Sequence, residues 1–109
     1  MKSVVVNAGG AMAVEERPMP VLNAPDDVLV RIAYSGLCGS DIPRIFSQGA
    51  HFYPITLGHE FSGHVVSIGK DVDDIQEGDA VACVPLLPCF KCEECRKEAY
   101  SQCKHYQFI

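Results

Sequence analysis

Four cysteines lie close together near the end of the sequence, at Cys89, Cys92, Cys95 and Cys103, in the pattern C-x2-C-x2-C-x7-C. Four sulfurs that converge on one ion form the tetrahedral ligand set of structural zinc sites and of some iron sites. Disulfides are an alternative, but three cysteines this close are awkward to pair with one another. An iron–sulfur cluster is a second alternative, although the ferredoxin run ends in C-x3-C-P, whereas here the last gap is longer and Lys104 follows. The spacing therefore favours structural zinc.

A second group of metal-ligating residues lies nearer the start of the sequence. A closed site of four sulfurs has no position for a substrate, so any chemistry must be sought elsewhere. Cys38 stands in a glycine-flanked turn, and His59 and Glu60 follow Gly58. Each alone is as readily structural, but a thiolate, an imidazole and a carboxylate together are the ligand set of an open catalytic zinc. The sixth cysteine, Cys83, is predicted to be a small core residue within a strand.

The elements that must position these residues are mostly strands. Valine-rich and alternating apolar patterns predict strands over 2–7, 12–16, 28–35 and 61–68, and a short buried strand over 80–84. Ser40 or Asp41 can cap a short helix that runs through Gln48 and ends at Gly49. No G-x-G-x-x-G sequence lies between a strand and a helix, so no dinucleotide-binding unit is expected in these residues.

Composition narrows the class of protein. The chain has 109 residues, 48% hydrophobic content and a formal net charge of −5. We expect one domain with a substantial core that buries about 65% of its unfolded surface. The negative charge argues against nucleic-acid binding, and no apolar run approaches the roughly 20 residues of a membrane helix. No signal peptide is evident, so we expect a cytoplasmic protein. In that reducing compartment, six cysteines favour metal binding over disulfides.

Five motifs occur in the order found in one enzyme family. They are G-L-C-G-S-D at 36–41, G-H-E-F-S-G at 58–63, V-S-I-G at 66–69, E-G-D-A-V at 77–81 and the cysteine loop at 89–103. In these the chain resembles the zinc-dependent medium-chain alcohol and polyol dehydrogenases. The resemblance covers essentially the whole chain and implies the GroES-like part of the catalytic domain. The implied fold is mainly β, a partly open barrel with short helices and a zinc-binding loop.

The resemblance also implies roles for individual residues. Cys38 and His59 match the ligands of a catalytic zinc, and the four loop cysteines match those of a structural zinc. Glu60 and Asp41 match carboxylates that support the catalytic zinc, and Ser40 matches the hydroxyl that binds the substrate oxygen and begins proton exit. The relay histidine found in some members is missing here, since Ile42 and Pro43 occupy its region.

The resemblance implies partners and cofactors as well. The whole enzyme would hold two zinc ions per subunit, use NAD or NADP, and oxidise a secondary alcohol of a polyol or sugar-alcohol phosphate, with galactitol 1-phosphate favoured over sorbitol-, threonine- or butanediol-type substrates. Its Rossmann domain and a third catalytic-zinc ligand would lie outside residues 1–109, so this stretch alone would be inactive, and a homo-oligomer, dimer or tetramer, is expected.

Two basic residues and two alternative functions complete the expectations from sequence. Arg44 and His51 are the cations expected nearest the site, where a sugar phosphate would need them, although exposed charges are more often only solvated. A non-catalytic zinc-stabilised β module and an iron–sulfur electron carrier are the competing functions.

Overall fold

In the computed structural model, which describes residues 1–109, the chain is mainly β with two short helices. The strands are β1 Lys2–Val6, β2 Met12–Glu16, β3 Val28–Ser35, β4 Phe61–Ile68, β5 Ala80–Ala82, β6 Leu86–Leu87 and β7 Gln107–Phe108, and the helices are α1 Asp41–Phe46 and α2 Glu93–Arg96. They form three separate antiparallel sheets, in the orders β1-β2, β3-β4-β5 and β6-β7. The mainly β class with short helices is confirmed, and within this chain the sheets do not close into a barrel.

The first sheet is the hairpin of β1 and β2, whose register pairs Val4 with Val14. Val5 and Val6 are only 1% and 2% exposed, because this end of β1 also pairs with the chain near Ile55. The hairpin turn uses Gly9 and Gly10 at φ values of 80° and 78°, which residues with a Cβ adopt only at a cost.

The second sheet positions the residues of interest. β3 and β4 pair along their whole length, from Val28 opposite Ile68 to Ser35 opposite Phe61, with two register shifts. Gly63 lies close to the backbone of β3, and a Cβ there would overlap the carbonyl oxygen of Arg31. Because Ser35 at the end of β3 pairs with Phe61 at the start of β4, the loop that follows β3 and the loop that precedes β4 lie at the same end of the strand pair.

The third sheet closes the cysteine-rich loop. Leu86 pairs with Phe108 and Leu87 with Gln107, so the two strands bring together the ends of residues 86–108. α2 lies inside this stretch and buries Cys95. We refer to residues 86–109 as the cysteine lobe.

The chain is less compact than its length predicts. Its accessible surface is 8041 Å², against about 5,900 Å² for a folded monomer of this mass. Its radius of gyration is 15.8 Å, against about 13 Å for a compact domain. Only 8 of 109 residues are buried, so the expectation of one substantial core is wrong for these residues.

Two local predictions need correction. The last predicted strand ends at Ala82, and its residues are exposed or half-buried because β5 is the edge of its sheet. Cys83 therefore follows the strand, half-buried. α1 ends at Phe46: the amide of Ser47 still makes the helical bond to the carbonyl of Pro43, four residues back, but the amide of Gln48 donates to that same carbonyl and does not continue the pattern. No helix is long and apolar enough to cross a membrane.

Candidate metal centres

The four loop cysteines converge on one point. The sulfurs of Cys89, Cys92, Cys95 and Cys103 all lie within 4.8 Å of one another. Cys92 Sγ is 3.5 Å from Cys95 Sγ and 4.0 Å from Cys103 Sγ, and Cys89 Sγ is 4.0 Å from Cys95 Sγ. A tetrahedral Zn²⁺ with Zn–S bonds of about 2.3 Å holds its sulfurs about 3.8 Å apart. The spacing of these sulfurs therefore fits a zinc ion, and all the cysteines are free thiols.

Backbone amides already point at two of these sulfurs. Cys89 Sγ accepts from the amides of Lys91 at 3.5 Å and Cys92 at 3.4 Å. Cys103 Sγ accepts from the amides of Cys89 and His105, both at 3.3 Å. Such donors stabilise thiolates, the form in which cysteine binds a metal.

Two of the loop thiols differ in acidity. The amide of Lys91, followed by that of Cys92, lowers the pKa of Cys89 to about 6. Burial raises the pKa of Cys95 to about 12. A cation bound among the sulfurs would offset this burial cost, because it stabilises every thiolate at once.

An ion pair braces the cysteine lobe. Lys104 Nζ lies 2.7 Å from Glu94 Oε1, and the hydrogen bond from Lys104 lowers the pKa of Glu94 to about 2. The Glu94 carboxylate in turn raises the pKa of Lys104. Sequence reasoning missed this pair, because a contact across ten residues has no periodic signal.

The second cluster forms between two loops of the central sheet. One Sγ, one ring nitrogen and one carboxylate oxygen, from Cys38, His59 and Glu60, lie within 4.8 Å of one another. The amide of Gly36 donates to the carbonyl of Glu60 at 2.6 Å, which extends the β3–β4 pairing into the two loops. Gly58, at a φ of 128°, leads the chain into His59 and Glu60 before β4 begins. Because these two residues lie outside the strand, their side chains are not forced to opposite faces.

Asp41 lies behind His59. Its side chain is 1% exposed, and its Oδ1 is 3.6 Å from His59 Nδ1. Its Oδ2 accepts the amide of Cys38 at 3.0 Å, while Oδ1 is buried without a hydrogen-bond partner. A histidine whose Nδ1 faces a carboxylate presents Nε2 to a metal, and metal-bound histidines commonly have such a partner. The buried, unpaired oxygen therefore fits a His59 held for metal binding.

The two clusters differ in how closed they are. The cysteine cluster has four protein ligands, two of them buried, whereas the Cys38, His59 and Glu60 cluster has three, with Glu60 exposed. Ser40 is exposed nearby and makes no capping hydrogen bond at the start of α1. The Ser40 hydroxyl is therefore free to bind another group. Because the second cluster has three ligands and an exposed Glu60, it is the one suited to hold a metal that a substrate can reach.

His59 lies on the walls of two cavities. The larger, of about 660 Å³, is also lined by Arg44 and His51. The smaller, of about 320 Å³, is also lined by Glu60 and Cys83. Volumes of about 300–1,000 Å³ are typical of small-molecule sites, and Cys83, predicted to be a core residue, here faces such a site.

Known proteins share this sequence and fold. Residues 24–109 match the alcohol dehydrogenase GroES-like domain. Galactitol 1-phosphate 5-dehydrogenase of Escherichia coli K12 is 62% identical over the whole chain, which spans 32% of that enzyme, and D-xylulose reductase A of Aspergillus niger is 40% identical over 86% of this chain and 27% of its own length. The crystal structure of galactitol-1-phosphate dehydrogenase from E. coli superposes with a TM-score of 0.91 at 61% identity, covering 100% of this chain and 32% of that one. The chain thus spans about a third of the relatives it matches.

Proposed function

We propose, for a chain that belongs to the alcohol dehydrogenase GroES-like domain family, that residues 1–109 form the zinc-binding catalytic part of an NAD- or NADP-linked dehydrogenase. The reaction is the oxidation of a secondary alcohol of a polyol or sugar-alcohol phosphate to a ketone. Galactitol 1-phosphate is our preferred substrate, supported by 62% identity to an enzyme of that name.

The observation that carries the proposal is the open cluster of Cys38, His59 and Glu60, in which His59 lines two cavities and Glu60 lines the smaller of them. Zinc bound there acts as a Lewis acid that lowers the pKa of an alcohol. The protein's task is to hold that ion, orient its ligands and receive the proton.

Cys38 and His59 are the proposed ligands, and the geometry around them suits that role. Asp41 Oδ1 lies 3.6 Å from His59 Nδ1 and has no hydrogen-bond partner, so it is placed to receive the Nδ1–H if the ring moves slightly and to favour the tautomer that leaves Nε2 as the ligand. Because Asp41 also accepts the Cys38 amide, one carboxylate positions both ligand residues. Glu60, exposed beside them, is the proposed supporting carboxylate.

Ser40 is the proposed proton acceptor from the substrate hydroxyl. Its side chain makes no capping hydrogen bond, and it stands two residues from Cys38. Because Ile42 and Pro43 supply no titratable group, the proton passes from Ser40 to water.

The remaining assignments are proposals about the whole protein. The four sulfurs of the cysteine lobe hold a structural zinc, which makes two zinc ions per subunit. The nicotinamide cofactor and a third ligand of the catalytic zinc are bound by residues outside 1–109. The enzyme acts in the cytoplasm as a homo-oligomer, and it binds neither nucleic acid nor membrane.

Metal content and turnover test the proposal together. In the full-length protein that contains these residues, purified and zinc-loaded, elemental analysis should give about two zinc ions per chain, falling to about one in Cys38→Ser. Oxidation of galactitol 1-phosphate with NAD, followed as nicotinamide absorbance, should fall by at least about 1,000-fold in Cys38→Ser, because the step depends on the ion.

Cys83→Ser is the matched control, since it removes a thiol that belongs to neither cluster. It should keep both zinc ions. One zinc ion in the unaltered protein, or full turnover in Cys38→Ser, would contradict the catalytic assignment. Iron in place of zinc would instead support an electron carrier.

A further inference from the structure

The larger cavity at His59 has an unusual balance of charge for this chain. Its eleven lining residues include Arg44, His51 and His59. No aspartate or glutamate is among them, although acidic residues outnumber basic ones 14 to 9 in the whole chain. The ionisable side chains on this wall are therefore a guanidinium and two imidazoles.

The side chains of Arg44 and His51 are available to a ligand. Arg44 lies in the last turn of α1 and is half-buried, and His51 is exposed in the loop that follows. No carboxylate lies within 4.0 Å of either side chain, and of the five lysines and arginines without such a partner only Arg44 lines this cavity. A half-buried guanidinium that faces a cavity without a counter-ion is well placed to bind an anion from solution.

The chemistry of Arg44 favours one class of anion. Guanidinium presents a planar fork of donors that matches two oxygens of a phosphate. His51 can donate one ring N–H to a third oxygen in either of its protonation states.

His59 fixes the direction of binding, because it shares this cavity with both cations. A molecule that reaches the metal through a hydroxyl can therefore extend an anionic group to Arg44 and His51. We propose that Arg44 and His51 bind the phosphate of a polyol monophosphate and so select it over the free polyol. This inference rests on the proposed function, since it assigns recognition within the same site.

The test compares phosphorylated and free substrate in one protein. In the zinc-loaded enzyme, Arg44→Gln should raise KM for galactitol 1-phosphate by about 10- to 100-fold, the range expected when a charge-assisted hydrogen bond is lost. The KM for galactitol should stay within about 2-fold, because that substrate carries no charge for Arg44 to bind. Arg44→Lys should recover part of the loss, and His51→Asn should show a smaller rise.

Arg96→Gln is the control, since it removes an exposed arginine of α2 that does not line the cavity. Its KM values should be those of the parent. An unchanged KM for galactitol 1-phosphate in Arg44→Gln would overturn the proposal. A rise confined to the KM of NAD or NADP would also overturn it, since the anion would then be a cofactor phosphate.

Calorimetric titration separates this proposal from the function on which it rests. Galactitol 1-phosphate and inorganic phosphate should each bind the parent more tightly than Arg44→Gln, with or without turnover. Binding lost in that variant, in a protein that oxidises no polyol, would sustain the anion site and remove the dehydrogenase. Equal binding to parent and variant would overturn the anion site, whatever the turnover.

Discussion

Asp41 has more influence on the second cluster than its lack of direct ligation suggests. It is almost fully buried, accepts the Cys38 amide and faces His59. Asp41→Asn preserves the size of the side chain but replaces a charged acceptor with a neutral amide. We expect zinc affinity at this cluster to fall by about 10- to 100-fold, as for other partners of metal-bound histidines.

Chelator competition would measure that affinity, with Asp26→Asn, an exposed carboxylate, as the control. The zinc of the cysteine lobe provides a second reference within the same sample, and it should be released as in the parent. If the zinc at the cluster of Cys38, His59 and Glu60 were released equally from the parent and from Asp41→Asn, Asp41 would not position His59.

At the same scale, residue type and spacing identified much of the candidate site. The four loop cysteines, and Cys38 with His59 and Glu60, were named from the sequence, and the structure brings each set together. Their roles as ligands stay predictions. Arg44 and His51 were named as the cations nearest the site, where a sugar phosphate would need them, but residue order could not show that both line one cavity.

The β3–β4 pair is the element on which the second cluster depends. Gly63 allows these strands to approach, and a Cβ there would overlap the Arg31 carbonyl. Gly63→Ala should therefore destabilise the fold by about 1 to 3 kcal/mol, because backbone and side chains must move to admit the methyl group.

Thermal unfolding of parent and variant would measure this effect. Gly39→Ala is a suitable control, since a Cβ at Gly39 meets nothing within 4 Å and its midpoint should stay close to that of the parent. A Gly63→Ala protein with the parent's unfolding midpoint would show that the strands can separate without cost.

Strand bounds were the most predictable feature at this scale. The predicted ranges 12–16, 28–35 and 61–68 coincide with β2, β3 and β4, because apolar side chains repeat where one face of a strand packs. Burial of the 80–84 strand was predicted wrongly. An apolar run reports a strand's composition, whereas its burial depends on which elements cover it, and β5 has an open edge.

At the largest scale, residues 1–109 form three sheets with little core between them. Twenty large hydrophobic side chains are exposed, so burial within the chain contributes less stability than length predicts. The cysteine lobe is held by two residue pairs between β6 and β7 and by two ion pairs, so we expect it to depend most on a metal bound by its four sulfurs.

Removal of zinc should therefore unfold the chain unevenly. After chelation we expect amides of residues 86–109 to exchange with solvent at least about 100-fold faster, while amides of β3 and β4 change far less. Hydrogen exchange read by mass spectrometry would resolve the two regions, with the untreated zinc-loaded protein as the reference. Uniform acceleration along the chain would contradict a separately unfolding lobe.

Through the hydrogen bond between Gly36 and Glu60, the register of β3 and β4 sets the positions of His59 and Glu60 relative to Cys38. If β4 slipped by one repeat of two residues, His59 would move about 6.8 Å along β3, more than three times a Zn–N bond of about 2.0 Å. A substitution within β3 or β4 that shifted the register would therefore show first as a loss of bound metal, even if it lay far from the ligand residues. The same dependence makes the arrangement portable: another antiparallel pair with this register and these two glycine-bearing loops could accept the site as a graft.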